Sequence, residues 1–134
     1  MSADNVQVLQ SAYDAFGRQD IPAVLAAFDE DISWNVPDSI PFGGTFRGHD
    51  GVLGFFGSLG ESFEAATVEP KEFIDGGDTI VVLVRDRATG PGGTTDTEAV
   101  HLWRMRDGKA VSFTEFQDTA RTLQALGVGA AAAT

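Results

Sequence analysis

Apolar residues in the first part of the chain recur at the three- and four-residue spacing of amphipathic helices. One stripe consists of Val6, Leu9, Tyr13 and Phe16, and a second consists of Ile21, Val24, Leu25 and Phe28. Asp4 and Gly17 suit the start and the end of the first helix. Asp20, followed by Pro22, suits the start of the second helix, which is expected to end at residues 29–31.

The pattern changes after the second helix. Ile32–Val36 alternates as a short strand does, with Trp34 and Val36 on one side. Residues 37–48 are rich in proline and glycine, so they are expected to form an irregular loop. A third helix is predicted around Asp50, and its inward residues are Val52, Phe55, Phe56 and Leu59.

The rest of the chain alternates between strand-like segments and short turns. Strands are predicted at Ala66–Ile74, Thr79–Arg87, Asp96–Arg106 and Ala110–Gln117. The turns between them are rich in glycine and aspartate, which predicts hairpins and therefore an antiparallel meander. A last short helix is predicted from its cap, Asp118, to Gly127.

This order of elements predicts an α+β fold, a cone-shaped α+β barrel with three to four helices packed on a strongly curved antiparallel sheet. The closed end of such a cone fills with large side chains, and its open end is a natural ligand site. The 134 residues contain no evident linker or repeat. We therefore expect a single domain over residues 1–128 and a flexible tail at residues 129–134.

Composition narrows the classes of partner. Ten phenylalanines against one tyrosine, in a chain that is 43% hydrophobic, indicate a bulky and dry interior. A net charge of −11 makes nucleic acid and anionic membrane surfaces poor partners. The absence of cysteine excludes disulfides and thiolate metal sites. Without a leader-like N-terminus or an apolar span, the cytoplasm is the expected location.

Five short motifs follow one another in a recognisable order. They are AFGRQD at 15–20, DISW at 31–34, PFGGTFRG at 41–48, VHLW at 100–103 with DGK at 107–109, and EFQDT at 115–119. This order resembles the nuclear transport factor 2-like superfamily, and within it the SnoaL-like and ketosteroid isomerase-like branch. The resemblance implies a homodimer formed through the sheet. It leaves the activity open, because the superfamily contains isomerases, cyclases, hydrolases, dehydratases and non-enzymatic binders.

His101 is the first candidate for chemistry. Alternation along residues 96–106 places it on a face that is otherwise formed by Thr97, Ala99, Trp103 and Met105. This face is the more apolar one, so we expect it to form the concave interior. An imidazole there titrates near neutrality and suits general acid–base catalysis. The alternative is a core histidine that is simply hydrogen-bonded to a neighbour.

Glu115 is the proposed partner of His101, and its direction depends on one hairpin. A two-residue loop at Asp107-Gly108 would place Glu115 on the opposite face from His101. A three-residue loop, residues 106–108 with Gly108 in a left-handed bulge, would place Phe113 across from His101 and Glu115 diagonal to it. The glycine at the third position favours the second geometry. The alternative role for Glu115 is a solvated residue at a strand end.

The resemblance implies roles for some of these residues. SnoaL-type polyketide cyclases use a His and an Asp as acid–base groups on the last two strands, and His101 and Glu115 stand at the corresponding positions. Ketosteroid isomerases use an Asp, a Tyr and a second Asp, where this chain has Val36, Ala12 and His101. Their mechanism is therefore not supported, although Tyr13 and Asp38 lie one and two residues away.

The expected ligand is a small hydrophobic molecule in a cavity of apolar and aromatic side chains. The predicted lining is Trp34, Val36, Phe56, Trp103, Met105 and Phe113, which could equally be plain core. Two distant histidines and the lack of nucleotide or phosphate motifs predict neither a metal nor a cofactor. On the outer face, Val82 or Val81, Val84, Leu102 and Phe116 predict the dimer interface.

Three functions remain open from the sequence. The leading hypothesis is a cofactor-independent acid–base enzyme that performs an isomerisation, a cyclisation or a related proton transfer on a hydrophobic carbonyl compound. The alternatives are a non-catalytic carrier that uses the same cavity and a dimerisation module with a filled core.

Overall fold

The structure, a computed structural model, describes residues 2–128 and the side chains of residues 4–128. The predicted tail at residues 129–134 lies outside the described residues. The helices are α1 (Ser2–Gly17), α2 (Ile21–Ala26), α3 (Gly48–Ser62) and α4 (Thr119–Leu126). The strands are β1 (Phe28–Val36), β2 (Gly44–Arg47), β3 (Ala65–Gly76), β4 (Thr79–Gly90), β5 (Gly93–Arg106) and β6 (Lys109–Phe116).

The six strands form one sheet in the order β2-β1-β6-β5-β4-β3. Strands β3 to β6 form the predicted antiparallel meander. The predicted α+β fold class, with helices packed on the sheet, is confirmed. The sheet is mixed, because β1 runs parallel to β6 and antiparallel to β2. It is not closed, because β2 and β3 form its two edges. A parallel pair needs a long connection, and here helix α3 and four further strands lie between its two members.

Two expectations near the N-terminus are wrong. Asp4 lies in the first turn of α1 instead of capping it. Phe28 is the first residue of β1, not part of the stripe of α2, which ends at Ala26. The ring of Phe28 is 2% exposed and lies 5.5 Å from the ring of Trp34 and 5.6 Å from that of Trp103. Burial in this aromatic group outweighs the helical periodicity of so short a segment.

Residues 44–47 form strand β2, where an irregular loop was expected. Their backbone pairs with the outer edge of β1, with Phe46 opposite Trp34 and Thr45 opposite Asn35. The Thr45 hydroxyl also donates to the Asn35 side-chain oxygen over 3.1 Å. The sequence did not predict this strand, because the glycines and prolines before it are typical of a loop. Local composition also does not show that the edge of a sheet lies close enough to pair with it.

The predicted caps of α2 and α4 are confirmed. The Asp20 carboxylate accepts a hydrogen bond from the Ala23 amide, and the Asp118 carboxylate accepts one from the Arg121 amide. Gly127 ends α4 in the left-handed conformation, with φ of 79°. Helix α4 therefore starts directly after β6 and packs against β4 and β5.

The hydrophobic core lies between the helices and the inner face of the sheet. On β4 the inward residues are Ile80, Val82 and Val84, which are 0 to 1% exposed. Of the two alternatives Val82 and Val81, it is Val81 that faces the other way, together with Leu83, and the prediction that Val84 faces outward is wrong. Among residues 2–128, no helix is long and apolar enough to cross a membrane.

A candidate active site on the concave face of the sheet

The expected direction of Glu115 rested on the turn between β5 and β6. It is a two-residue turn, with Arg106 paired to Lys109 and with positive φ at Asp107 (52°) and Gly108 (77°). The three-residue loop expected from the sequence is therefore wrong.

An additional residue in β6 changes the register beyond this turn. Met105 pairs with Ala110, but Arg104 pairs with Ser112, so Val111 is a bulge. Because of the bulge, His101 pairs directly with Glu115, and Phe113 pairs with Trp103. Glu115 and His101 share a face for a reason that differs from the expected one.

The His101 and Glu115 side chains meet inside the protein. Nε2 of His101 lies 3.3 Å from Oε2 of Glu115, and the two side chains are only 6% and 12% exposed. The Gln117 amide donates to the other carboxylate oxygen over 2.8 Å, and the Thr122 hydroxyl donates to Gln117. Both oxygens of Glu115 are thus held by neighbouring side chains, which fixes its orientation.

Tyr13 occupies the other side of the imidazole. Its hydroxyl oxygen lies 2.5 Å from Nδ1 of His101 and accepts a hydrogen bond from the Trp103 indole over 3.0 Å. Burial raises the pKa of Tyr13 well above its ordinary value, so the phenol stays protonated and donates to Nδ1. Nδ1 is then the acceptor, and Nε2 faces the Glu115 carboxylate and donates to it.

Asp86 completes the site from β4. Val82 pairs with His101, and Asp86 lies four residues further along the strand. In a flat sheet that offset would be about 13 Å. Yet ligand atoms of Asp86, His101 and Glu115 lie within 4.8 Å of one another. The side chains therefore reach toward each other along the concave face of the sheet, which gathers polar groups from three strands. We call Tyr13, Asp86, His101 and Glu115 the polar cluster.

The environment of Asp86 changes its protonation. Burial, together with the negative charge of Glu115, raises the pKa of Asp86 from 3.8 to about 6, against the lowering influence of His101. This carboxyl therefore gains and loses its proton near neutral pH, which is the range in which a general acid or base works.

An aromatic cavity of about 130 Å³ lies against the polar cluster. Of the residues predicted to line it, Trp34, Phe56, Trp103 and Phe113 do so. Val36 and Met105 do not, because they stand near the ends of their strands, within the core and 5% and 4% exposed. An engineered cavity of about 150 Å³ in another protein binds benzene, so this one has room for roughly one ring.

Sequence reasoning did not single out Asp86 or Gln117, and it set Tyr13 aside. One signal for Asp86 was visible, since it falls in phase with the buried residues Ile80, Val82 and Val84 of β4. Tyr13 lay on the apolar stripe of α1, where its hydroxyl was easily overlooked. Neither sequence position indicated that these groups would meet His101.

The cluster also has the donors for a divalent cation. Asp86, His101 and Glu115 offer a ring nitrogen and carboxylate oxygens within 4.8 Å of one another. Zinc accepts this donor set. Both ring nitrogens of His101 already have protein partners, however, so a cation would have to displace Tyr13 or Glu115 from the ring.

Comparison with known proteins identifies relatives over most of the chain. Residues 9–113 match the family model of the SnoaL-like domain. An NTF2-like protein of unknown function from Burkholderia pseudomallei is 37% identical, covers 92% of this chain and 97% of its own, and has a TM-score of 0.86. TerC, whose crystals were grown with polyporic acid, is 30% identical, with 92% and 98% coverage and a TM-score of 0.88.

A more distant structure shares the fold alone. A putative SnoaL-like polyketide cyclase from Jannaschia sp. CCS1 is 20% identical, covers 96% of this chain and 93% of its own, and has a TM-score of 0.80. The search of curated protein sequences finds no match.

Proposed function

The chain belongs to the SnoaL-like family, and we propose that it is a cofactor-independent cytoplasmic enzyme that transfers a proton on a small hydrophobic carbonyl compound. The observation that carries this proposal is the contact between His101 and Glu115, 3.3 Å apart, beside an aromatic cavity. An acid–base pair shielded from water suits the removal of a proton next to a carbonyl group. TerC, which is 30% identical, was crystallised with the small molecule polyporic acid.

Each residue of the pair has a defined role in this reaction. The Glu115 carboxylate takes a proton from the carbon next to the carbonyl, which leaves an enolate on the substrate. His101 donates its Nε2 proton to this carboxylate, so Glu115 itself carries the proton taken from the substrate and returns it. Gln117 holds the carboxylate in place through its second oxygen. Return of the proton to a different carbon is an isomerisation, and attack of the enolate on a second carbonyl is a cyclisation.

Proton exchange tests the proposal without knowledge of the natural substrate. The protein is incubated in D₂O with one-ring ketones such as cyclohexanone and acetophenone, and the loss of the α-proton signal is followed by NMR. We expect exchange that His101→Gln and Glu115→Gln slow by about 10²- to 10⁴-fold. The matched control is Glu98→Gln, which changes an exposed carboxylate of β5. Equal exchange rates in all four proteins would contradict the proposal.

A carrier without catalysis is the second candidate, and one observation favours it. Both ring nitrogens of His101 and both oxygens of Glu115 already have partners within the protein. Groups held so firmly can orient a ligand without moving a proton. A carrier would bind the ketones, as measured by quenching of its tryptophan fluorescence, while their exchange rate stayed at the buffer value in wild type and variants alike.

We also propose that two copies associate through the outer face of the sheet. Two cross-strand rows there are apolar: Ile74, Val81 and Leu102 in one, and Leu83, Val100 and Phe116 in the other. Ile74 and Phe116 are 45% and 55% exposed, and a contiguous patch of this kind is typical of an interface. Light scattering at micromolar concentration should give a dimer, and Phe116→Lys should give a monomer. The control is Leu53→Lys on α3, also exposed but away from the sheet.

A further inference from the structure

Three buried polar atoms are left without a hydrogen-bond partner among the side chains of residues 4–128. They are Nε1 of Trp34, Oδ1 of Asp86 and Oγ1 of Thr95. All three residues line the same cavity. Buried polar groups in folded proteins are nearly always paired, and leaving one unpaired destabilises the fold. The accumulation of three such atoms around one cavity indicates that they bind something that occupies it.

The hydrogen-bonding chemistry of each atom defines the kind of ligand group that it can bind. The Trp34 indole can only donate, so its partner must be an acceptor such as a carbonyl oxygen. An ionised Asp86 can only accept, so its partner must be a donor such as a hydroxyl group. The Thr95 hydroxyl can do either and adjusts to the ligand. The set therefore selects a compound that carries both an acceptor and a donor.

Size and charge limit the compound further. The cavity of about 130 Å³ holds roughly one ring. The ring of Trp34 stacks on Phe113 with centroids 3.9 Å apart, which gives the cavity a flat aromatic wall. Asp86 and Glu115 place two carboxyl groups beside it, and their charge repels an anionic ligand. A neutral ring is favoured over a carboxylic acid.

We infer that the cavity binds a neutral one-ring compound whose carbonyl oxygen accepts a hydrogen bond from Trp34 and whose hydroxyl group donates one to Asp86. This inference deepens the proposed function, on which it rests for the presence of a carbonyl group. It adds Trp34 and Asp86 as the residues that bind the carbonyl oxygen and the hydroxyl group of the ligand. The binding itself requires no turnover and is measured separately.

A panel of ring compounds with similar size and different polar groups tests the inference by calorimetry. Ethylbenzene has neither group, acetophenone has the carbonyl alone, and 4-ethylphenol has the hydroxyl alone. The 3- and 4-hydroxyacetophenones have both groups at two spacings. Because a hydrogen bond contributes about 0.5–1.5 kcal/mol net, each correctly placed group should lower Kd by about 2- to 12-fold. One of the two hydroxyacetophenones should bind most tightly.

Two variants assign each gain to its residue. Trp34→Phe should abolish the advantage of acetophenone over ethylbenzene and keep the advantage of 4-ethylphenol. Asp86→Leu should do the reverse. Glu61→Leu, which removes an exposed carboxylate of α3, is the control and should keep both advantages. Asp86→Leu should also melt a few degrees above wild type without ligand, because the unpaired carboxyl is gone.

The outcomes separate this inference from the proposed function. Equal affinity for all five compounds, or the same selectivity in wild type and both variants, would overturn the inference even if ketones exchange their α-protons. Ligand selectivity that follows Trp34 and Asp86, with no proton exchange on any ketone, would support the inference and contradict the enzyme. A lower melting temperature for Asp86→Leu would also count against the inference, because it would show that Asp86 stabilises the protein without ligand.

Discussion

The concave face of the sheet has two ends, one filled by apolar side chains and the other by polar ones. At the apolar end, formed by Ile80, Met105 and Ala110, each residue is at most 4% exposed. Packing alone stabilises this end, at about 25 cal/mol per Å² of apolar surface removed from water. At the other end, the polar cluster holds two carboxyl groups, an imidazole and a phenol away from water, which costs free energy.

The two ends are built from the same strands. Strand β4 supplies Ile80 to one end and Asp86 to the other, and β5 supplies Met105 and His101. The difference therefore does not come from the fold but from which side chains occupy equivalent inward positions. Most of the sheet stabilises the protein, and this lets a few inward positions carry polar groups that destabilise it.

The largest expected effect comes from inserting one alanine between Ser112 and Phe113, just beyond the bulge residue Val111 of β6. The added residue turns Phe113 and Glu115 to the outer face, which removes the stack of Phe113 on Trp34. The free energy of unfolding should fall by about 3–5 kcal/mol, the usual cost of losing a buried phenylalanine. Urea denaturation measures it. Deleting Val111 instead removes the bulge but keeps Phe113 and Glu115 on the inner face, because Ser112 then follows Ala110 directly. The deletion should cost far less, so equal losses in both variants would contradict the register argument.

The polar cluster should show a pH dependence that the apolar end lacks. Folding raises the pKa of Asp86 from 3.8 to about 6. The protonated Asp86 carboxyl therefore contributes its full stability to the fold below pH 4, and this contribution disappears as the pH rises through 6. Between pH 4 and pH 7, the free energy of unfolding of Asp86→Leu should therefore rise relative to that of wild type by up to about 3 kcal/mol. Tyr13, His101 and Glu115 face Asp86, and they remain in both proteins. Denaturation at pH 4 and pH 7 measures the gain, and Glu61→Leu should show none of comparable size.

Tyr13→Phe should have a smaller effect and should test the direction of the hydrogen bonds. Loss of the hydroxyl leaves the Trp103 indole and Nδ1 of His101 without their partner. The free energy of unfolding should fall by about 1–3 kcal/mol. The NMR signals of the His101 ring should report that Nδ1 is no longer hydrogen-bonded. Unchanged ring signals would contradict the assigned role of Tyr13.

The smallest expected effect concerns Asp118, which supports the polar cluster without being part of it. Asp118 caps α4, and this helix carries Thr122, whose hydroxyl donates to Gln117 behind Glu115. Asp118→Ala should cost about 1 kcal/mol of stability through the lost cap, and Asp118→Asn, which still caps, should restore it. A loss that Asn does not restore would show that the charge of Asp118, not its capping, matters.

Local signals were sufficient for the periodic parts of the fold. Strands β3 to β6 alternate clearly and are bounded by glycine-containing turns, so their antiparallel order followed from the sequence. The caps at Asp20 and Asp118 and the end at Gly127 were also predictable, because capping depends on residues only a few positions apart. Strand β2 was missed, since its pairing depends on β1 and not on its own composition.

The site was predictable only in part. His101 was placed correctly on the inner face, because alternation along one strand is a local property. The direction of the Glu115 side chain depends on the bulge at Val111, and no residue of the turn indicates that bulge. Asp86 was missed, because its distance from His101 along the strands hides the fact that their side chains reach toward each other.

The sequence by itself determined the α+β class, the order of helices and strands in the meander, and an interior rich in aromatic rings. These follow from periodicity, turn chemistry and composition, which act over short stretches of chain. The tertiary structure alone decided the parallel pairing of β1 with β6, the register that joins His101 to Glu115, and the meeting of Tyr13 and Asp86 with that pair. Those features arise from strand pairing and from the packing of side chains on the concave face, which bring together residues far apart in sequence and leave no periodic trace in it.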